Sequence, residues 1–160
     1  RVRCGADAVI GRIASCDVEG SFFDHVLDVV IGFAADVPGP MRTSAHRRGL
    51  KAWFGAATRE HYEAPIVRID GEPVLEIGFH AEHPKPEAND AVLARLVAAR
   101  RSWQKVLGKE AVAGEFLGQA KWRRISETWP VPDEDDLDAA IEVAARLADY
   151  IQALEPLRCR

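Results

Sequence analysis

Acidic and imidazole side chains alternate with apolar ones along residues 74–82. Glu76, His80 and Glu82 occupy even positions, and alternate side chains of a β-strand point to the same face, so these three share one face of a predicted strand. The opposite face carries Leu75, Ile77, Phe79 and Ala81. A carboxylate beside an imidazole is suited to general acid/base catalysis. The predicted catalytic residues are therefore His80, as acid or base, and Glu76 or Glu82, as the group that orients its ring.

The same polar face has two other interpretations. A neighbouring strand is predicted to bring Arg68 opposite Glu76, and cross-strand ion pairs of this kind are typical of a sheet face exposed to solvent. A metal ion is the third possibility, but it requires His61 or His83 to approach, and a strand directs His80 and His83 to opposite faces. The solvated face is the leading interpretation, and we predict no metal and no cofactor.

A basic segment over residues 42–48 is the second candidate site. It contains two adjacent arginines, and a guanidinium group binds phosphate or carboxylate in a two-pronged geometry that lysine does not match. We therefore predict that this segment is a loop that recognises an anion. The predicted ligand-binding residues are Arg42, His46, Arg47, Arg48, Trp53 and Arg68.

The charge balance disfavours nucleic acid as a partner. The chain has a formal net charge of −4, whereas nucleic-acid binding draws much of its affinity from basic side chains that neutralise phosphates. Asp70 followed by Glu76 invites comparison with the metal-binding acids of restriction-type nucleases. Those enzymes need a lysine two residues after the second acid, and Gly78 stands there, so the charge that stabilises the transition state is missing.

Hydrophobic periodicity predicts a single α+β domain over residues 1–160, with the element order α-α-β-β-β-α-(α)-β-α. About four strands form a mainly antiparallel sheet with helices packed on one face. Ser21 and Asp24 form a capping box at the start of the second helix. The expected helices cover residues 6–16, 21–36, 86–107 and 110–117, with a last helix capped by Asp133; the expected strands cover 50–54, 62–70, 74–82 and 122–129, the middle two joined by a turn at 70–73.

The cysteines indicate a reducing compartment. Cys4, Cys16 and Cys159 are odd in number and form no C-x-x-C pair, so neither a disulfide framework nor a zinc knuckle is predicted. We expect all three to be free thiols. The sequence also contains no run of about 18 apolar residues, the length that a membrane helix needs. These observations predict a cytoplasmic protein without a membrane segment, and the preference for arginine over lysine indicates a bacterial source.

Four segments of the second half carry a resemblance to a known family. They are Val74-Leu75-Glu76-Ile77, the helix end from Trp103 to Gly108, Trp122-Arg123-Arg124-Ile125, and Leu154-Glu155-Pro156. In layout this half resembles an uncharacterised bacterial family of small α+β domains that accompany nuclease-like or restriction-type proteins. The resemblance implies an accessory role and carries no catalytic residue with it.

Three functions are compatible with these patterns. The leading prediction is a binding or accessory module that acts on a protein partner or a small anionic ligand and that forms a homo-oligomer. The first alternative is a small enzyme with an acid/base site made of Arg68, Glu76, His80 and Glu82. The second is a nucleic-acid-associated protein of a defence or restriction system. A concave pocket at the polar face would favour the enzyme, and a continuous basic stripe would favour nucleic acid.

Overall fold

The computed structural model describes residues 21–158. In chain order its elements are α1 (Phe22–Phe33), β1 (Met41–His46), β2 (Gly49–Phe54), β3 (Glu60–Ile69), β4 (Glu72–Ala81), α2 (Pro86–Ala98), α3 (Arg100–Leu107), β5 (Val112–Phe116), β6 (Gln119–Pro130) and α4 (Leu137–Arg158). The six strands of this part of the chain form one antiparallel sheet in the order β1-β2-β3-β4-β6-β5. The α+β class is confirmed, whereas the prediction of about four strands is wrong.

Two segments that were expected to be a loop and a helix are strands. The basic segment 42–48 lies mostly in β1, where Met41, Thr43 and Ala45 are half-buried and alternate with exposed residues. The exposed side of β1 carries Arg42, Ser44 and His46. These polar residues give the segment the composition of a loop, so its alternation was not recognised. Residues 112–116 form β5 instead of a helix and pair with β6. A helix of that length is marginal, whereas a short strand is stabilised by the ladder it joins.

The predicted helix over residues 86–107 is interrupted at Ala99, between α2 and α3. The indole N–H of Trp103 donates a hydrogen bond of 2.8 Å to the carbonyl oxygen of Leu96. The same carbonyl oxygen accepts the amide of Ala99 at 3.1 Å, so the indole is a second donor to a terminal carbonyl of α2. The predicted first helix and the three cysteines, Cys4, Cys16 and Cys159, lie outside the described residues.

The hydrophobic core lies between the helices and one face of the sheet. Leu75, Ile77 and Phe79 of β4 are buried and pack in one cluster with Trp103 of α3 and Leu147 of α4, so the predicted apolar face of this strand is confirmed. No helix among residues 21–158 has the length and apolar character needed to cross a membrane.

Helix α4 begins at Leu137, later than a cap at Asp133 predicts. Asp136 Oδ1 accepts hydrogen bonds from the backbone N–H groups of Asp138, at 2.9 Å, and Ala139, at 3.1 Å. Asp133 Oδ1 accepts only from the amide of Asp135 in the preceding turn. Asp136 is therefore the capping residue, and the prediction of Asp133 is wrong.

We expect Asp136→Ala to lower the free energy of unfolding by about 1 kcal/mol, because two amides of the first turn lose their acceptor. Urea denaturation followed by circular dichroism measures the change. Asp133→Ala is the matched control and should alter stability by less than about 0.5 kcal/mol. Equal losses in the two variants would contradict the assignment of the cap.

Candidate metal centre

The polar face of β4 is buried, which corrects the prediction of a solvated face. The side chains of Glu76 and His80 are 0% exposed. The ring of Phe116 lies 4.7 Å from that of His80, and Trp122 lies 5.8 Å from Phe116. A β-bulge at Glu115/Phe116 bends the β5–β6 hairpin, as extra residues in a ladder do. Aromatic side chains at this bend therefore shield the polar face from water.

The register of the β3–β4 hairpin decides which residues meet on that face. The turn contains only Asp70 and Gly71, whose φ angles are 51° and 89°, as the tight two-residue hairpin turn requires. This turn pairs His61 with His80 and Glu63 with Gly78.

The predicted opposition of Arg68 and Glu76 is wrong. Arg68 pairs with Pro73 and donates a hydrogen bond to the carbonyl oxygen of Gly71. The prediction assumed a longer turn and shifted the register by three residues. An odd shift moves a side chain to the other face of the sheet, so Arg68 is not part of the site.

Two histidines and two glutamates converge on the buried face. One ligand atom from each of His61, Glu63, His80 and Glu82 lies within 4.8 Å of every other. His61 Nε2 is 3.2 Å from Glu63 Oε1 and 3.8 Å from Glu82 Oε1, while His80 Nδ1 is 3.2 Å from Glu63 Oε2 and 3.9 Å from Glu82 Oε1. A divalent ion with bonds of about 2.0–2.2 Å separates neighbouring ligands by about 3–3.5 Å. The two distances to Glu63 match this spacing and the two to Glu82 are longer by about 0.3–0.4 Å, so small side-chain movements would place the four atoms around one ion.

The ring nitrogen of His61 that is not directed at the carboxylates, Nδ1, contacts the backbone. His61 Nδ1 lies 3.1 Å from the carbonyl oxygen of Thr58, and only a protonated nitrogen makes a favourable contact with a carbonyl. In the neutral ring Nε2 is then an acceptor directed at Glu63. Among the described residues, this buried Nε2 has no hydrogen-bond partner. Lys51 Nζ pairs with the same Glu63 oxygen but makes no hydrogen bond to Nε2. The imidazole acceptor therefore still faces a carboxylate with no proton between the two, and a metal ion would satisfy both.

A proton on His61 does not resolve this conflict. Burial lowers the pKa of His61 to about 3, and the charges of Lys51, His80 and Arg59 act in the same direction. The ring is therefore neutral at physiological pH. Neutral imidazole is the form that ligates metal ions.

Glu76 orients the His80 ring by contacting the nitrogen on the side away from Glu63 and Glu82. His80 Nε2 lies 3.4 Å from Glu76 Oε1, so its Nδ1 points toward Glu63 and Glu82. Neither ring nitrogen of His80 makes a hydrogen bond within residues 21–158. A carboxylate behind a ligating histidine fixes the tautomer and raises the basicity of the ligand, as in other metal sites.

Glu76 is in turn held as an anion by β6. Ser126 Oγ donates a hydrogen bond to its Oε1, and Arg124 Nη1 lies 3.5 Å from the same oxygen. Burial by itself raises the pKa of Glu76, but the His80 ring, the Ser126 hydroxyl and the Arg124 charge outweigh it, and the pKa is lowered. The predicted pair of Glu76 and His80 is thus brought together, with Glu76 behind the ring and away from the convergence point.

The basic segment does not form a single site. Arg42 and His46 lie on the edge strand β1 and Arg47 and Arg48 in the β1–β2 turn. Trp53 is the β1–β2 partner of Arg42. Anion recognition by these residues stays a prediction.

Three site residues were missed or underrated by sequence reasoning. His61 was considered only as an approaching ligand, and Glu63 and Lys51 were not considered. Pairing across a two-residue turn at Asp70-Gly71 would have placed His61 beside His80. His83, the other histidine considered as an approaching ligand, does not face the cluster, because its Nε2 lies 3.0 Å from Glu60 Oε1.

No protein-family model matches the chain. No curated protein and no solved structure matches it either.

Proposed function

We propose that this chain is a metal-dependent enzyme that binds one divalent transition-metal ion through His61, Glu63, His80 and Glu82. One observation carries the proposal: buried imidazole nitrogens without hydrogen-bond partners are directed at carboxylate oxygens. Buried polar atoms are normally satisfied. A cation at the convergence point satisfies these atoms together.

The donor set indicates the class of ion. Imidazole nitrogen suits zinc, iron, copper and nickel, whereas carboxylate oxygen suits harder ions, and a mixed set selects the borderline first-row divalent ions. Calcium and magnesium prefer sites made of oxygen alone. Zinc, iron(II), manganese(II) and cobalt(II) are therefore the ions that we expect the cluster to bind.

The chemistry of the cluster supports a reactive ion over a structural one. Structural zinc sites are rich in cysteine and close all four positions, whereas this cluster offers histidine and carboxylate, and an ion that takes five or six ligands would keep a position open beside these four. The two histidines are buried, but the side chains of Glu63 and Glu82 are 13% and 14% exposed. Solvent thus reaches the cluster from the carboxylate side. The helix-facing core is formed by other residues, so the fold does not depend on the ion.

The proposal is tested with the metal alone. Chelator-treated protein should bind one equivalent of Co²⁺, with visible absorption bands of nitrogen and oxygen ligation, and its far-UV circular dichroism should be the same with and without the ion. His61→Gln and His80→Gln should each weaken binding about 100-fold or more. Glu76→Gln should weaken it about 10- to 100-fold, the range measured for groups that support a ligating histidine.

His83→Gln is the matched control, because His83 is a neighbouring histidine that contacts Glu60 outside the cluster. It should bind Co²⁺ as the unmodified chain does. Calorimetry gives the affinity and stoichiometry of each variant. Absence of Co²⁺ binding, or equal binding by the His61→Gln, His80→Gln and His83→Gln variants, would refute the metal site.

A further inference from the structure

Two cationic residues, Lys51 and Arg59, border the open side of the cluster. Lys51 Nζ forms an ion pair with Glu63 and lies 3.9 Å from Glu82 Oε2, and its side chain is 33% exposed. Arg59 immediately precedes β3, where its carbonyl oxygen accepts a hydrogen bond of 2.8 Å from the amide of Glu82. Glu60 pairs with Ala81, so Arg59 stands opposite Glu82, and residues directly opposite each other on neighbouring strands start on the same face of the sheet. Two cationic residues therefore flank the carboxylate ligands.

With a divalent ion bound, the site lacks negative charge at its open side. In the metal-free protein Glu63 and Glu82 contribute two negative charges, and Lys51 neutralises one of them. A divalent ion cancels both carboxylates and takes over that role of Lys51. Since Glu76 is balanced by Arg124, the two charges of Lys51 and Arg59 are then left without anionic partners at the open side among residues 21–158. Cations held together in a partly dry site favour an anion strongly.

A neutral hydrogen-bond donor lies on the same side. The alternation of β2 places Trp53 on the face that carries Lys51, and one residue beyond the last β2–β3 pair it stands beside His61. The indole Nε1 of Trp53 is buried and, within residues 21–158, has no hydrogen-bond partner. A buried donor without an acceptor costs about 1–3 kcal/mol. An oxyanion at the open side would supply the acceptor.

We infer that the enzyme's substrate is a small oxyanion, bearing a carboxylate or a phosphate, that coordinates the metal and pairs with Lys51 and Arg59. This inference rests on the proposed function, because the anion is held partly by the ion. Lys51 and Arg59 act here as specificity-determining residues. The ammonium group attracts the anion as a point charge, while the guanidinium of Arg59 offers a planar fork for two oxygens.

The test uses Co²⁺-loaded protein and three probes. Oxalate represents carboxylates, inorganic phosphate represents phosphates, and imidazole is an uncharged metal ligand. Oxalate or phosphate should shift the visible bands of the bound Co²⁺, and whichever anion binds identifies the class of substrate. Lys51→Gln and Arg59→Gln should each weaken binding of that anion at least 10-fold and leave the affinity for imidazole within about 2-fold. Lys51→Gln should bind Co²⁺ at least as tightly, because the ammonium no longer competes for Glu63.

Arg101→Gln is the matched control, since it removes one positive charge from an exposed position of α3, which packs on the opposite face of the sheet. It should leave the affinity for both anions unchanged. If Co²⁺ binds but neither anion shifts its bands, or if Lys51→Gln and Arg59→Gln bind the anion as Arg101→Gln does, the oxyanion inference is wrong and the metal site stands. If Co²⁺ does not bind, the proposed function fails, and the inference fails with it.

Discussion

Gly78→Ala is expected to destabilise the protein by about 3 kcal/mol or more, and Gly78→Val to prevent folding. A Cβ atom at position 78 would lie 2.3 Å from the carbonyl oxygen of Ile125 and 2.4 Å from Ser126 Cβ. Both atoms belong to or lie next to the backbone of β6, so the whole strand must move. Overpacking in a core costs about 1–3 kcal/mol even where side chains can adjust. Glycine within a strand marks such a close approach of two backbones.

The same substitution should disrupt the candidate metal centre. Gly78 lies between Glu76 and His80 on the buried face, opposite Ser126. Moving β6 away separates Ser126 and Arg124 from Glu76, which then no longer supports the His80 ring. Urea denaturation and Co²⁺ affinity measure the two effects on one preparation.

Gly114→Ala is the control for this prediction. Gly114 lies in β5 of the same sheet, and a Cβ atom there would meet nothing within 4 Å. Its stability should therefore change by less than about 1 kcal/mol. A Gly78→Ala variant as stable as Gly114→Ala would show that β4 and β6 do not approach as closely as the structure indicates.

Arg146→Met is expected to lower the free energy of unfolding by about 3–5 kcal/mol, because it leaves a buried carboxylate unpaired. Arg146 Nε donates to Glu127 Oε1 at 2.9 Å, and Nη2 donates to Glu127 Oε2 and to the carbonyl oxygen of Leu107. Glu127 also accepts from Trp129 and Tyr150. This network lies on the helix-facing side of the sheet and joins β6 to α4.

The loss should depend on pH in a defined direction. Burial raises the pKa of Glu127, but hydrogen bonds from Arg146, Trp129 and Tyr150 outweigh it and lower the pKa. The stabilisation from this lowered pKa is present above the ordinary pKa of a glutamate, about 4.3, and is lost as the pH falls through the lower value of the folded state. In Arg146→Met burial dominates, and the pKa of Glu127 rises. The difference between the two proteins should therefore be largest at pH 7 and shrink toward pH 4.

Lys109→Met provides the comparison. Lys109 pairs with Glu110 at 3.9 Å, and both side chains are almost fully in solvent, so this pair should contribute less than about 1 kcal/mol. Denaturation of the unmodified protein and both variants at pH 7 and pH 4 gives the six free energies needed. A loss for Arg146→Met that is no larger than for Lys109→Met, or one that grows toward pH 4, would contradict the assigned role of the pair.

Local patterns predicted the parts of the fold that depend on neighbouring residues. The alternation of Leu75, Ile77 and Phe79 predicted the core face of β4, and the structure confirms it. The contact between Asp24 and Ser21 at the start of α1 is confirmed by the hydrogen bond from the amide of Ser21 to the Asp24 carboxylate. Each of these two patterns involves residues only a few positions apart in the chain, so each can be recognised without knowledge of tertiary contacts.

Local patterns did not predict the two edge strands of the sheet, β1 and β5. β5 contains Gly114 and is only five residues long, and its strand conformation comes from pairing with β6. The same holds for β1, which within the described part of the chain pairs with β2 alone. Intrinsic preference is weak in such segments, and the neighbouring strand decides their conformation.

The sequence by itself determined that Glu76, His80 and Glu82 share one face of a strand, because the side-chain period of a strand is local and equal to two. Only the tertiary structure decided what that face contains. The two-residue turn aligned His61 and Glu63 with β4, β2 added Lys51, and the bulged β5–β6 hairpin placed Phe116 over His80. Register changes with a single residue in a turn, and burial depends on segments far away in the chain. A polar face that local alternation predicts to be solvated is therefore a buried cluster of imidazole and carboxylate groups.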